Sequence, residues 1–225
     1  MKKYYVMGQN EEKNVLASLR GINLIHIVNL KDANDYSKHI NYQREIPKNT
    51  LHLYLVSIYF KKFNFSIRSV STELYIVSKE FLELLKHFKV DLLTCIPTTI
   101  VNRKNHDDQL ADQYFTVVFK NFSYTTVVDM DNSSFYQEYP DTIDEIKELK
   151  LKNECNLNFF LIQDFCPHLR TPFCTQEFKE AYEAMKLKGV NFFEYENAPW
   201  QPNTPSFYFD ALEKELTIND YVSPI

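Results

Sequence analysis

Two groupings of side chains have types and spacing that could do chemistry. The first is Asp129-Met130-Asp131-Asn132-Ser133-Ser134, where two close carboxylates could hold a cation or divide acid and base work. The second is Cys166-Pro167-His168, followed by Cys174. A thiol beside an imidazole could act as nucleophile and base, and thiolates with imidazole could bind zinc. Zinc, however, takes four ligands in a tetrahedron, usually from close-spaced pairs, and the chain has no C-x-x-C. The four cysteines, Cys95, Cys155, Cys166 and Cys174, read better as small hydrophobic side chains. The Asp129/Asp131 pair reads better as a strand terminus with Asx-type turns. A small metal-dependent hydrolase built on Asp129, Asp131, Cys166 and His168 is therefore the alternative. The leading expectation is no catalytic residue, no metal and no cofactor.

The glycine content narrows the chemistry further. Of 225 residues only three are glycine, Gly8, Gly21 and Gly189, and no two are close enough to form one loop. A Walker A loop, a G-x-G-x-x-G dinucleotide turn and a G-x-S-x-G nucleophile elbow all need backbone positions that glycine occupies cheaply. P-loop NTPases, standard Rossmann enzymes and α/β-hydrolases are excluded on this ground.

Charge points to a kind of partner. Residues 1–112 carry 16 basic and 12 acidic side chains, whereas residues 113–225 carry 9 and 18. An acidic chain without a dense Lys/Arg cluster is a poor binder of nucleic acid, because phosphate neutralisation supplies most of that affinity. The acidic half suits a basic protein partner, through steering and specificity. No apolar run reaches the ~20 residues of a membrane span, and the first residues carry no secretory pattern. A cytoplasmic protein with neither nucleic acid nor membrane as partner is expected. Hydrophobic residues at 44% and aromatics at 15% allow a substantial core, and residues 1–225 read as one compact domain.

The elements that must position these residues suggest an α+β fold with mainly antiparallel or mixed sheet. Residues 4–7, 22–30, 51–60, 63–70 and 157–162 read as strands, and residues 11–20 as a helix ending at Gly21. Ser78 reads as an N-cap, with Glu80 in the first turn and Phe81, Leu84, Leu85 and Phe88 as one apolar face. A strand over residues 90–96, stopped by Pro97, follows. The pattern returns with Thr175 as cap, Glu177 in the first turn, the face Phe178, Ala181, Tyr182 and Met185, Gly189 as the residue past the helix, and a strand over 190–195. Strand–helix–strand units over residues 50–98 and 155–196 are thus expected to be duplicates. Residues 114–119 and 124–128 read as a hairpin joining them over 114–129, residues 103–112 as an exposed loop, and residues 141–151 as a helix with Ile143, Ile146 and Leu149 inward.

The order of these features resembles a group of bacterial polymorphic-toxin immunity proteins, immunity family eleven and the related family forty-three. The matching motifs are Tyr4-Tyr5-Val6, Ile76-Val77-Ser78-Lys79-Glu80-Phe81 with Pro97, and Val127-Val128-Asp129 with Ser133. The last are Cys174-Thr175-Gln176-Glu177-Phe178, with Thr175 in place of the usual Ser, and Gly189-Val190-Asn191-Phe192-Phe193. The likeness spans roughly residues 50 to 195, through caps and core positions. It implies an immunity protein that binds and neutralises a cognate toxin domain, for which the acidic half suggests a basic character, and it assigns no catalytic residues. Contacts with that partner are expected at Asp129, Asp131, Ser133, Glu194, Glu196 and Trp200.

Overall fold

In the computed structural model, residues 2–9, 23–25, 53–57, 65–69, 74–102, 109–139, 141–166, 169, 171–198 and 200 are described. The elements, in chain order, are β1 (Tyr4–Gln9), β2 (Asn23–Ile25), β3 (Leu53–Ser57), β4 (Ile67–Ser69), β5 (Leu74–Ser78), α1 (Lys79–His87), β6 (Leu92–Asn102), β7 (Gln109–Phe119), β8 (Asn121–Phe122), α2 (Tyr124–Val127), β9 (Ser134–Tyr136), β10 (Glu145–Glu148), β11 (Phe159–Ile162), β12 (Phe173–Thr175), α3 (Gln176–Ala184) and β13 (Val190–Glu194). The α+β expectation holds. A six-stranded sheet runs β2-β3-β6-β7-β5-β4, a five-stranded sheet runs β13-β1-β12-β11-β8, and β9 and β10 form a separate ribbon.

Two residues organise both large sheets. Ser78 ends β5 and caps α1, its hydroxyl oxygen accepting from the Phe81 amide at 3.2 Å. Thr175 ends β12 and caps α3 in the same way, accepting from the Phe178 amide at 3.4 Å. A cap of this kind satisfies one of the amides a helix start leaves unpaired and contributes about 1 kcal/mol. In each sheet the strand before the helix and the strand after it flank a third strand, antiparallel to both. For α1 that middle strand is β7, and Tyr114 lies opposite Ser78. For α3 it is β1, and Tyr4 lies opposite Thr175. The second unit thus takes its middle strand from the distant start of the chain.

The helices also end alike. Lys89 and Lys186 both have φ 54, in the left-handed region. After α1, Lys89 N–H donates to Lys86 O and Val90 N–H to Leu85 O; after α3, Lys186 N–H donates to Glu183 O and Leu187 N–H to Tyr182 O. This is the Schellman closure, in which the chain turns left-handed to satisfy the last carbonyls. Lysine therefore occupies the position expected for Gly189, which lies three residues further on with φ 90.

The inner faces of α1 and α3 meet over aromatic rings from both sheets. Phe81 lies 6.0 Å from Phe178, Phe178 lies 5.3 Å from Phe159, and Phe159 lies 4.9 Å from Phe119. Such pairs add about 0.5–1.5 kcal/mol each beyond their buried area. Polar bonds join the halves as well. Ser66 Oγ and Tyr182 Oη are 2.6 Å apart, and the buried Arg68 donates to the Gly189 carbonyl at 2.6 Å. The five-stranded sheet is covered on both faces. Tyr5, Met7, Phe159 and Leu161 face the helices, while Tyr4, Val6, Phe160 and Ile162 face a second core holding Ile143, Ile146, Leu149 and Trp200. Burial on both faces explains why these strands read as continuous apolar runs.

Several expectations are corrected. Residues 124–127 do not pair with β7 as a hairpin. They form α2, because Asp164 accepts the Tyr124 amide at 2.9 Å and a tertiary contact overrides β propensity. Residues 141–151 are not a helix. Ile143, Ile146 and Leu149 are buried as expected, but in extended chain: β10 pairs with β9, and a register shift between Ile146 and Glu148 moves the inward alternation by one residue. Pro97 does not stop β6. Pairing with β3 starts at Thr98, so among the described residues that side of Pro97 makes no ladder bond for a missing N–H to break. Residues 109–112 belong to β7 rather than to a loop. Met185 is exposed at the end of α3. The expected helix over residues 11–20, with Gly21, lies outside the described residues.

Candidate functional site

Of the expected contact residues, Asp129, Ser133 and Glu196 are drawn together through Lys150, Asp131 and Glu194 lie on the surface apart from that group, and Trp200 is buried. The Asp129–Ser134 turn is fixed from within. Asn132 donates to Asp129 Oδ2 at 2.9 Å, and the Asp129 amide donates to Lys150 O at 2.8 Å. Ser133 Oγ accepts from the Lys150 amide at 2.9 Å and donates to the Lys150 carbonyl. Asp131 is exposed. Lys150 then ties this turn to the later segment, because its ammonium donates to Glu196 Oε1 at 2.6 Å. The Glu196 carboxylate holds the Lys150 ammonium above its ordinary pKa.

Glu194 is paired with Lys3, whose hydrogen bond holds the Glu194 carboxyl below the usual carboxylate range. Exposed pairs of this kind orient carboxylates more than they stabilise a fold. Trp200 is the exception. It is 6% exposed, its indole N–H donates to Tyr195 O at 2.8 Å, and its ring stacks on Phe173. It supports the surface from inside the core.

Around these residues carboxylates outnumber lysines, of which Lys3 and Lys150 are paired with Glu194 and Glu196. Residues 129–148 carry seven acidic side chains and one lysine. Lys150 was not singled out from the sequence, and neither were the exposed Tyr136 and Tyr139 or the partly exposed Met130. Reading residues 141–151 as a helix hid the ribbon that presents them.

Among the described residues, the groups considered for catalysis do not assemble. Cys166 donates its thiol to Asp144 Oδ1 at 3.2 Å, and Asp144 Oδ2 accepts the Glu138 amide at 2.8 Å. His168 lies outside the described residues. Cys155 and Cys174 are buried, and desolvation pushes the Cys174 thiol well above its ordinary pKa. Among the described residues, no three His, Cys, Asp or Glu side chains form a group able to hold a metal ion. A cleft of about 270 Å³ beside the end of α1 is lined by residues including Phe88, Asp91, Lys120 and Asn158, and its lining offers no thiol, hydroxyl or imidazole nucleophile. Among the described residues, no helix is long and apolar enough to cross a membrane.

The fold and this surface define an α+β protein with a braced acidic face. The family model of immunity protein 43 matches residues 9–209, and the chain belongs to that family. This is the second of the two families its motifs resemble. A search of curated proteins finds no match.

Proposed function

We propose that this protein neutralises a cognate toxin domain in the cytoplasm of the cell that makes it, acting as a stoichiometric binder and not as an enzyme. Membership of an immunity family supports this reading. The observation that carries it to a surface is the cross-braced acidic side, where Lys150 joins the Asp129–Ser134 turn to Glu196. Carboxylates held in place before binding lose little freedom on association, and they steer and select a basic partner.

The fitting partner is a toxin domain with a basic working face, as nucleic-acid-cleaving toxins commonly have. Covering that face would exclude its substrate. Co-expression with the toxin domain encoded beside this chain's gene tests the reading. Growth is expected to be restored and the two chains to co-purify. Persistent toxicity without a complex would refute it.

A further inference from the structure

The β9–β10 ribbon has one face that the core does not use. On its inner face Phe135 and Ile146 are paired in register, and Ile146 is 4% exposed. Side chains alternate along a strand, so the opposite face carries Tyr136 beside its partner Glu145. Tyr136 is 54% exposed, and Tyr139 in the following turn is 64% exposed. Large aromatics are normally at least partly buried, so two this open on one ribbon call for an explanation.

The ribbon's tip is held in shape. The Asp144 amide donates to Tyr136 O at 3.0 Å, and the Thr142 amide donates to Tyr139 O at 3.2 Å. The Asp144 carboxylate receives the Glu138 amide on one oxygen and the Cys166 thiol on the other, which fastens the tip to the body.

We infer that this ribbon is the docking element for the toxin domain, with Tyr136 and Tyr139 as its anchors. The inference rests on the function proposed above and names the surface that carries it out. Tyrosine supplies a large, stiff contact at low entropic cost, and it is enriched among the few residues that dominate binding energy. The occupant is a lysine- and arginine-rich protein face. Residues 129–148 hold seven acids against one lysine, with Lys150 and Lys152 just beyond, so the ribbon keeps a net negative charge, and cationic groups pack favourably on tyrosine rings. The fixed tip presents the rings without a folding cost.

The test uses the full chain and the same toxin domain, with affinity measured by titration at two salt concentrations. The double variant Tyr136→Ala/Tyr139→Ala is expected to lose about 100-fold or more in affinity. Both side chains are exposed, so circular dichroism and thermal midpoint should match the unsubstituted protein. Tyr136→Phe should keep most of the binding. Glu138→Lys/Asp141→Lys is expected to slow association about tenfold or more and flatten its salt dependence. Leu93→Ala, an exposed site on the six-stranded sheet, should bind normally.

A folded double tyrosine variant that binds within threefold of the unsubstituted protein would overturn the docking assignment while leaving the proposed function standing. Tyrosine-dependent self-association that competes with the toxin domain would mark the ribbon as a contact between copies and overturn it too. An unsubstituted protein that neither binds nor protects would overturn both.

Discussion

Lys89 and Lys186 offer a quantitative test of how α1 and α3 end. Each is exposed, each follows a helix, and each sits at φ 54. A residue with a Cβ in the left-handed region costs roughly 1–2 kcal/mol, a penalty glycine does not carry. Glycine gives back about 0.4–1 kcal/mol through the extra freedom of the unfolded chain. Lys89→Gly and Lys186→Gly should therefore each stabilise by about 0.5–1 kcal/mol. The sites close different helices, so the double variant should gain about 1–2 kcal/mol. For a chain of this length that is roughly 2–8 °C in thermal midpoint, read by circular dichroism and cross-checked by the urea midpoint. Lys86→Gly, inside the last turn of α1, is the control and should lose about 1 kcal/mol. If either left-handed site loses stability on becoming glycine, the Schellman closure is not what ends that helix.

Further predictions concern the core, the helix charge and the thiols. Phe81→Ala removes a fully buried ring that touches Phe159, Phe178 and Tyr182, and should cost about 3–5 kcal/mol by urea unfolding; a loss under about 1 kcal/mol would mean the helices do not share that core. Glu177, in the first turn of α3, is held below its ordinary pKa by its own backbone N–H and then by Thr175. A depressed carboxyl stabilises the fold above its unfolded pKa and loses that effect as pH falls through the folded value. Glu177→Gln should thus be less stable than the unsubstituted protein at pH 7 and equal to it in acid well below the ordinary value of 4.5; a pH-independent difference would refute this. Iodoacetamide should label the exposed Cys95 in the folded protein and reach Cys174 only after unfolding, as peptide mapping can show. Prompt labelling of Cys174 would contradict its placement.

Local signals read well where they acted locally. Ser78 and Thr175 each combine a hydroxyl cap, an acid in the first turn and an aromatic at the third helical position, and both helices begin where those residues say. The α3 closure falls at Lys186 and not at Gly189, and α1 closes in the same way at Lys89, because nothing in a lysine side chain announces a left-handed φ. Tyr124 to Val127 turned helical because of an acceptor forty residues away, Asp164, which no local window contains. Ile143, Ile146 and Leu149 were correctly read as core, but spacing by three fits both a helix and a bulged strand.

The site followed the same division. Asp129, Asp131, Ser133, Glu194 and Glu196 stand out by composition, while Lys150, which joins Asp129 and Ser133 to Glu196, acts through tertiary pairing. Trp200 stood out by type but is spent on the core. The borrowed strand β1 was legible as a strand, but its place between β12 and β13 belongs to the topology of the whole chain.

The most direct test of the central claim is an isothermal titration of the purified chain into the purified toxin domain, run alongside an assay of the toxin's activity. The account predicts a saturable complex of fixed stoichiometry, weakening as salt is raised, with toxin activity falling in step with occupancy. Absence of binding with activity unchanged, or loss of activity far below stoichiometric addition, would contradict it.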